Sequence, residues 1–393
     1  MYVKRKASMC NMFSSSKQHV SLTTDIWVAP STAASYMVVT AHWIDTNWRL
    51  RKLIIGFKNV IDHKGVTIAR VLEECLSEWS IMKIFTIIVD NATVNTNALK
   101  IFAELYGAIA SDALVLDGRF LHMGCPAHIV NLVVKDGLKE IDDSICAIRN
   151  SITYVRSSTT RLNSFELCVL SGKTRWNSTY LMLSKALKFR LAFDRMEAED
   201  KLYNEYFQET MDGKKRVGPP TRDDWDAVEG LVRFLVIFYN STLVVFASNS
   251  VNSYKCYTEI VTIERNLIKL SNDLDVELRK KAMAMRENFN KYWEGLKKIN
   301  RLLIVASILD PRNKMRFATL CFERVYGKDN VETKALQSSV ADVLKSLFEE
   351  YTLRYVTVHG DDIIGTRSQS GATSSQSTGQ DGSSRMDLDT DVG

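Results

Sequence analysis

The sequence predicts an α/β domain followed by a large all-helical segment. Strand-like and helical patterns alternate over residues 18–138, whereas residues 139–357 show almost only helical periodicity. The last part, residues 358–393, is rich in Ser, Gly, Thr and Asp and has few apolar residues, which predicts a disordered acidic tail. Residues 1–17 are expected to be a flexible N-terminus.

The first part predicts a mixed sheet that begins with three antiparallel strands. Asp45-Thr46-Asn47 predicts a hairpin turn between the second and third strands, and apolar spacings of three and four predict the helices. In chain order, the predicted elements are strands at 19–27, 35–44 and 49–60, a helix at 65–80, a strand at 83–89, a helix at 94–106, a strand at 119–123 and a helix at 126–138. This order, β-β-β-α-β-α-β followed by a helix, is that of a ribonuclease H-like core.

The second part predicts a helical insertion with one linker at residues 211–221, where Gly and Pro cluster. The helical patterns cover residues 142–156, 178–200, 222–246, 253–270, 274–298 and 333–355. The apolar run at 231–246 is interrupted by Arg233 and Asn240-Ser241-Thr242, so we interpret it as a buried helix and expect no membrane partner.

Charge and cysteine content restrict the class of protein. The net charge is +5, and the acidic tail leaves the remainder at about +9, which suits a nucleic-acid partner. The seven cysteines are scattered and include no CxxC pair, which indicates a reducing, intracellular compartment and predicts no zinc finger.

Two aspartates stand where a ribonuclease H-like sheet would bring them together. Asp25 lies near the end of the first strand and Asp90 directly follows the fourth. Carboxylates on neighbouring strand ends can hold a divalent metal that activates a water or a hydroxyl group for phosphodiester cleavage. The alternative for Asp90 is a structural one, because a residue at that position also caps the following helix.

Two further motifs combine residues that could contact a metal or DNA. Cys125-Pro126-Ala127-His128 is an incomplete zinc half-site, so a structural role is the alternative, with His128 bonded inside the fold or reaching a phosphate. In the motif that holds Lys173, Arg175 and Trp176, an exposed Trp would stack on an unpaired base while the cations hold phosphates. The alternative is a Trp packed against a helix start.

Four motifs, in their order and spacing, resemble those of hAT-family transposases of the RICESLEEPER/DAYSLEEPER type. They are Ser21-Leu22-Thr23-Thr24-Asp25-Ile26-Trp27, Val89-Asp90-Asn91-Ala92, Cys125-Pro126-Ala127-His128 with the residues after it, and Thr174-Arg175-Trp176-Asn177-Ser178-Thr179-Tyr180. Residues 225–326 resemble the later ribonuclease H-fold segment of the same proteins.

The resemblance implies a DNA partner, a nuclear location and Mg²⁺ as the metal. It implies that Asp25 and Asp90 match the first two metal-binding acids and that Trp176 matches a tryptophan that stacks on a flipped base. Cys125 and His128 would match the CxxH motif beside the active site.

The sequence departs from the family pattern in features that bear on activity. We expect the upstream BED zinc finger, the third metal-binding acid and the dimerisation region to be missing, as in a chain truncated at both ends, and Gly124 stands where relatives carry a cation. Two acids without a third predict weak Mg²⁺ binding and little or no strand cleavage. Self-association is possible by resemblance, but no oligomeric state is predicted.

Two alternatives remain open at the level of sequence. In the first, the chain is an active metal-dependent DNA transposase or nuclease that uses Asp25 and Asp90 with a third acid from another residue or another chain. In the second, it is a non-catalytic module whose helical segment binds protein partners.

Overall fold

In a computed structural model, the first third of the chain is built around a mixed sheet of five strands. The structure describes residues 2–16, 18–138, 142–165, 176–211, 213–245 and 252–364. The strands are β1 (Val20–Val28), β2 (Ser35–Ile44), β3 (Leu50–Val60), β4 (Ile84–Val89) and β5 (His122–Gly124). Their spatial order is β3-β2-β1-β4-β5; the first three are antiparallel, whereas β4 runs parallel to β1 and β5 parallel to β4. The predicted ribonuclease H-like sheet is confirmed.

Helices cover one face of this sheet and enclose the main core. They are α1 (Tyr2–Ser15), α2 (Gly65–Glu78) and α3 (Thr93–Gly107), and α4 (Pro126–Leu138) follows β5. Leu22, Met37 and Val39 from the strands are fully buried together with Leu72 of α2 and Phe102 of α3. These strand residues alternate with exposed or half-buried ones, so β1 and β2 each turn one face inward.

The N-terminus differs from the sequence expectation of a flexible segment over residues 1–17. Tyr2–Ser15 form α1, and the ring of Phe13 is buried and meets the ring of Trp43 edge-on, with centroids 5.1 Å apart. The helix is short and mostly exposed, so its few inward-facing residues give only a weak periodic signal.

The segment that follows α4 is helical as predicted, but four of its helices lie outside the predicted helical ranges: Thr159–Phe165, Lys201–Gln208, Arg301–Ile308 and Lys314–Tyr326. The helices of the segment are α5 (Asp142–Arg156), α6 (Thr159–Phe165), α7 (Trp176–Ala186), α8 (Arg190–Glu199), α9 (Lys201–Gln208), α10 (Arg222–Val245), α11 (Ser253–Leu270), α12 (Val276–Trp293), α13 (Arg301–Ile308), α14 (Lys314–Tyr326) and α15 (Val331–Ile364). Two further differences are local. The single helix predicted over 178–200 is divided by a 3-10 turn at Leu187–Phe189. The predicted linker holds a small hairpin of β6 (Thr210–Met211) and β7 (Lys214–Lys215).

Contacts join the helical segment to the last strands of the sheet. Helix α4 packs against α10 and α12, and the side-chain amide of Asn300 donates to the carbonyl oxygen of His122 on β5 (3.2 Å). The described residues up to Ser346 form one compact unit, and residues 347–364 at the end of α15 belong to a second. Of the predicted tail, residues 358–364 belong to the end of α15, and residues 365–393 lie outside the described residues.

Among the described helices, only α10 is long and apolar enough to cross a bilayer. It packs against α4, α5, α7 and α11, and it buries Trp225, Phe234 and Phe238. These contacts account for its apolar composition as that of a helix in the core of the helical segment.

Candidate metal and nucleic-acid site

The parallel pairing of β1 and β4 brings Asp25 and Asp90 to the same edge of the sheet. Thr23 pairs with Ile88, and each aspartate follows its paired residue by two positions. Because adjacent strands lie about 4.8 Å apart, the two residues stand side by side at the C-terminal ends of these strands. Both carboxylates act electrostatically on the same neighbour, the thiol of Cys125. Asp25, Asp90 and Cys125 therefore lie close together at this edge of the sheet.

The two carboxylates have different surroundings. Oδ1 of Asp90 accepts from the backbone N–H of Ala92 (2.9 Å) and from the side-chain amide of Asn95 (2.5 Å), which holds the start of α3. Asp90 thus has part of the structural role that the sequence left open, although Ala92 is the N-cap residue. The side chain of Asp25 is exposed, and its carboxylate makes no hydrogen bond or ion pair with another described residue, although its backbone pairs with Val38 of β2. At least three of the four carboxylate oxygens are therefore available to a ligand.

Cys125 caps the start of α4 through its backbone. Its N–H donates to the carbonyl of Val89 (2.8 Å), and its carbonyl accepts from the N–H of Ile129 (3.1 Å), while the N–H groups of Ala127 and His128 favour the charged form of its sulfur. Burial raises the pKa of the Cys125 thiol, and the charges of Asp25 and Asp90 raise it further, against the opposing effect of those two N–H donors. A thiol held neutral in this way is a weak zinc ligand, which supports the structural interpretation of the CxxH motif. The imidazole of His128 is half-buried.

Gly124 is required by the packing beside the acids. A Cβ atom on Gly124 would lie 2.4 Å from Oδ1 of Asn91, the residue after Asp90. The Asn91 side chain therefore occupies the place that a larger residue at position 124 would need. This contact gives a physical reason why the chain carries no cation there.

The predicted base-stacking motif is only partly within the described residues. Trp176 is the first residue of α7 and is 7% exposed, so the interpretation as an exposed loop Trp is wrong and the alternative of a Trp packed at a helix start holds. Helix α7 packs along α10, with the rings of Tyr180 and Tyr239 4.6 Å apart, so the first turn of α7 belongs to a helix interface. Lys173 and Arg175 lie outside the described residues.

A cationic groove lies beside β5 and was not predicted. Its lining includes Arg119, Phe120, His122, Lys297, Lys298, Asn300, Arg301, Ser338, Ser339 and Asp342. Arg301 donates to the carbonyl of Ile299 (2.8 Å) and to the hydroxyl of Ser339 (3.2 Å), and burial lowers the pKa of its guanidinium. Lys297 pairs with Glu332 and Lys298 with Glu294, at 2.9 and 3.0 Å, so part of the positive charge is balanced.

The described residues supply some of the oxygen ligands that a hard divalent cation would need, but not a full set. Carboxylate oxygens are the ligands that Mg²⁺ takes in proteins, and Mg²⁺ commonly uses one or two carboxylates and completes its shell with water or substrate phosphate. In the described part of the chain, no three Asp, Glu, His or Cys residues form a group that could hold a metal ion. Asp25 and Asp90 contribute two carboxylates to this edge of the sheet.

Comparison with known protein families gives matches for three segments of the chain, including those that hold the two acids and the CxxH motif. A family model described as "hAT-like transposase, RNase-H fold" matches residues 254–351. The ZBED1 RNase-like domain matches residues 23–120, which hold both acids, and the ZBED1 RNase-like helical domain matches residues 123–234, which hold the CxxH motif.

Individual proteins that align with most of this chain give matches of the same kind. The chain is 29% identical over 367 residues to the zinc finger BED domain-containing protein RICESLEEPER 2 of Oryza sativa subsp. japonica, covering 89% of this chain and 48% of that protein. It is also 29% identical over 367 residues to a putative AC transposase of Zea mays (90% and 43%). It is 24% identical over 348 residues to DAYSLEEPER of Arabidopsis thaliana (84% and 46%). The chain therefore spans about half the length of these relatives.

Proposed function

Because the chain belongs to the hAT-like transposases, we propose that it is a transposon-derived DNA-binding protein whose two acids bind Mg²⁺ weakly and do not by themselves cut DNA. The observation that carries the proposal is the position of Asp25 and Asp90 at the ends of two adjacent parallel strands. A nuclear location belongs to the same proposal, since that is where chromosomal DNA is found.

The donor set supports weak metal binding. Asp25 and the remaining oxygen of Asp90 would hold the ion, while Oδ1 of Asp90 already accepts two hydrogen bonds. A metal bound there supplies activation of the attacking hydroxyl and stabilisation of the leaving oxygen. Two carboxylates carry two negative charges, which hold one divalent cation only weakly. They are not enough to hold the pair of ions that cleavage commonly uses.

The cationic groove supports a DNA partner. It gathers Arg119, Lys297, Lys298 and Arg301 beside β5, and Asp342 is the one acid on its lining among the described residues. Arg and Lys side chains contact phosphates and release counterions from DNA, which makes such binding depend on salt.

A DNA cleavage assay tests the proposal that the protein does not cut DNA. The chain is incubated with hairpin-forming DNA in Mg²⁺ or Mn²⁺, beside Asp25→Ala and a control, Asp223→Ala, at an exposed acid of α10. We expect no nicking above background from any of the three. Robust cleavage that Asp25→Ala abolishes and Asp223→Ala retains would contradict the proposal and favour an active nuclease whose third acid comes from elsewhere.

A metal titration tests the site independently of cleavage. Mn²⁺ binding, measured by the paramagnetic signal of the free ion, is expected in the millimolar range and should be lost in Asp25→Asn. Equal Mn²⁺ binding by wild type and Asp25→Asn would remove the metal from the proposal. DNA affinity that does not change with salt would instead favour the protein-interaction alternative.

A further inference from the structure

Three aromatic rings form a row across the first three strands. Trp27 on β1, Tyr36 on β2 and Phe57 on β3 make up this aromatic row. The ring centroids of Trp27 and Tyr36 are 6.3 Å apart, and those of Tyr36 and Phe57 are 5.2 Å apart with the planes within 5° of parallel. Trp27 pairs directly with Tyr36 across the sheet, whereas Phe57 pairs with Val38 and meets Tyr36 diagonally.

The row lies on a face of the sheet that the described part of the chain leaves open. Trp27 is 54% exposed and Phe57 is 63% exposed. The other face of the same strands is buried against α1, α2 and α3. Contiguous exposed apolar surface commonly marks an interaction or ligand-binding site.

The aromatic row is continuous with the two acids. Asp25 precedes Trp27 by two positions on β1, so their side chains leave the same face of the strand. Asp25 pairs with Val38, which in turn pairs with Phe57. Since β4 ends at Val89, Trp27 lies beyond the last residue of β4 and beside the edge that carries Asp25 and Asp90. The row therefore leads from the two acids to the free edge of the sheet at β3.

We propose that Trp27 and Phe57, at the two ends of the aromatic row, stack on unpaired bases of a single DNA strand whose backbone passes the Asp25–Asp90 edge. This inference rests on the proposed DNA-binding function and specifies the form of DNA. Aromatic side chains stack on any base, so such a surface binds single strands with little sequence preference. A duplex keeps its bases stacked on one another and gains little from the same rings.

The face that carries the row also carries a cation. Lys52 is exposed and pairs across the sheet with His42, two cross-strand pairs, or about 13 Å, from the pair of Val38 and Phe57. Burial and the charge of Lys52 lower the pKa of His42, whose Nε2 is 3.0 Å from the hydroxyl of Thr23. Aromatic rings with a cation farther along the same face are the combination that holds the bases and backbone of a single strand, which favours a nucleic acid over a protein partner.

The test compares single-stranded and duplex DNA in fluorescence anisotropy. The probes are a labelled 20-nucleotide oligothymidine and a labelled 20-base-pair duplex, measured with the full chain. Trp27→Ala and Phe57→Ala are each expected to weaken single-strand binding about tenfold and to leave duplex binding within about twofold. Trp27→Phe, which keeps a stacking ring, should retain most of the affinity.

Two control variants separate stacking from general loss of apolar surface. Trp48→Ala removes a 90% exposed Trp in the turn between β2 and β3, outside the row, and Ile54→Ala removes an exposed but non-aromatic side chain on the same face. Both are expected to bind the single strand as wild type does. All of these side chains are largely exposed, so folding is expected to persist and is checked by circular dichroism.

Distinct outcomes overturn the inference and the function it rests on. If wild type binds both probes and the row variants bind them equally well, the stacking surface is wrong while DNA binding stands. If wild type binds neither probe, DNA binding itself fails. If single-strand affinity is unchanged but Trp27→Ala and Ile54→Ala both alter the mass of the protein in solution by light scattering, the face contacts protein instead.

Discussion

Gly124 is the residue at which the end of β5 touches the loop of the second acid. The Asn91 side chain lies against its Cα, and the side-chain nitrogen of Asn91 is buried without a hydrogen-bond partner. A buried amide of this kind has already lost its hydration, so its position depends on packing and not on bonding. The geometry of Asp90 is therefore coupled to the absence of a side chain at position 124.

We predict that Gly124→Ala destabilises the fold by about 1–3 kcal/mol, because the new Cβ would overlap Oδ1 of Asn91. The free energy of unfolding in urea measures the loss. Gly230→Ala is the matched control: its Cβ would meet nothing within 4 Å, and in the interior of α10 the change should stabilise by about 0.5–1 kcal/mol. Adding Asn91→Ala to Gly124→Ala should recover part of the loss; an unchanged loss would place the strain elsewhere.

The position of the acids was predictable from the sequence, but their surroundings were not. Strand order alone sets Asp25 beside Asp90, because a ribonuclease H-like sheet places the first and fourth strands together. The cap formed by the Cys125 backbone depends on a local turn, and the burial of Trp176 depends on helix packing. Neither leaves a periodic signal that composition or spacing could reveal.

At the scale of elements, α11 and α12 are joined by a carboxylate that is fully removed from water. Glu264 of α11 is 0% exposed, and its Oε1 accepts from Arg286 of α12 through two nitrogens at 3.3 Å. Its other oxygen, Oε2, is buried without a partner. Burial raises the pKa of Glu264, and the Arg286 guanidinium opposes that effect only in part.

We predict that Arg286→Met destabilises the protein at pH 7 by about 2–3 kcal/mol, because it leaves the buried carboxylate of Glu264 without its partner. This loss is smaller than the loss expected for a fully buried ion pair, because the Arg286 side chain is 39% exposed. The folded state holds the proton of Glu264 more tightly than the unfolded state, so stability falls as pH rises through the raised pKa. The loss should therefore shrink as the pH is lowered toward 5.

Urea denaturation at several pH values measures this dependence. Glu264→Gln should remove it, and Arg316→Met, at an exposed Arg of α14, should change stability by less than about 0.5 kcal/mol. A loss in Arg286→Met that is constant between pH 5 and 7 would show that packing, and not the charge of Glu264, holds these helices.

Most helices were predictable because their ends carry local signals. Helices α4, α5 and α11 begin and end where the sequence predicts. The break between α7 and α8 has no Gly or Pro to announce it and depends on tertiary contacts. The fifth strand begins later than predicted because Leu116, Asp117 and Gly118 have positive φ angles, and the Asp117-Gly118 pair is a turn signal that the strand prediction did not use.

At the scale of the whole molecule, the cationic groove is assembled from distant parts of the chain. Arg119 precedes β5, whereas Lys297, Lys298 and Arg301 come almost 180 residues later, and the hydrogen bond from Asn300 to His122 ties the two segments together. The overall positive charge was evident from composition, but its concentration in one groove was not. Only the packing of the α12–α13 connection against β5 creates it.

We predict that the groove contributes phosphate contacts common to every DNA sequence. Arg119→Glu and Lys298→Glu should weaken binding of duplex and single-stranded DNA alike, and each should reduce the slope of log affinity against log salt by about 1. Lys214→Glu makes the same change of net charge at an exposed position in the β6–β7 hairpin. If it lowers affinity and slope as much as the groove variants do, the effect is one of net charge and the groove has no special role. If only the groove variants respond, phosphates are held beside β5, while the bases remain accessible to the separate stacking surface formed by Trp27 and Phe57.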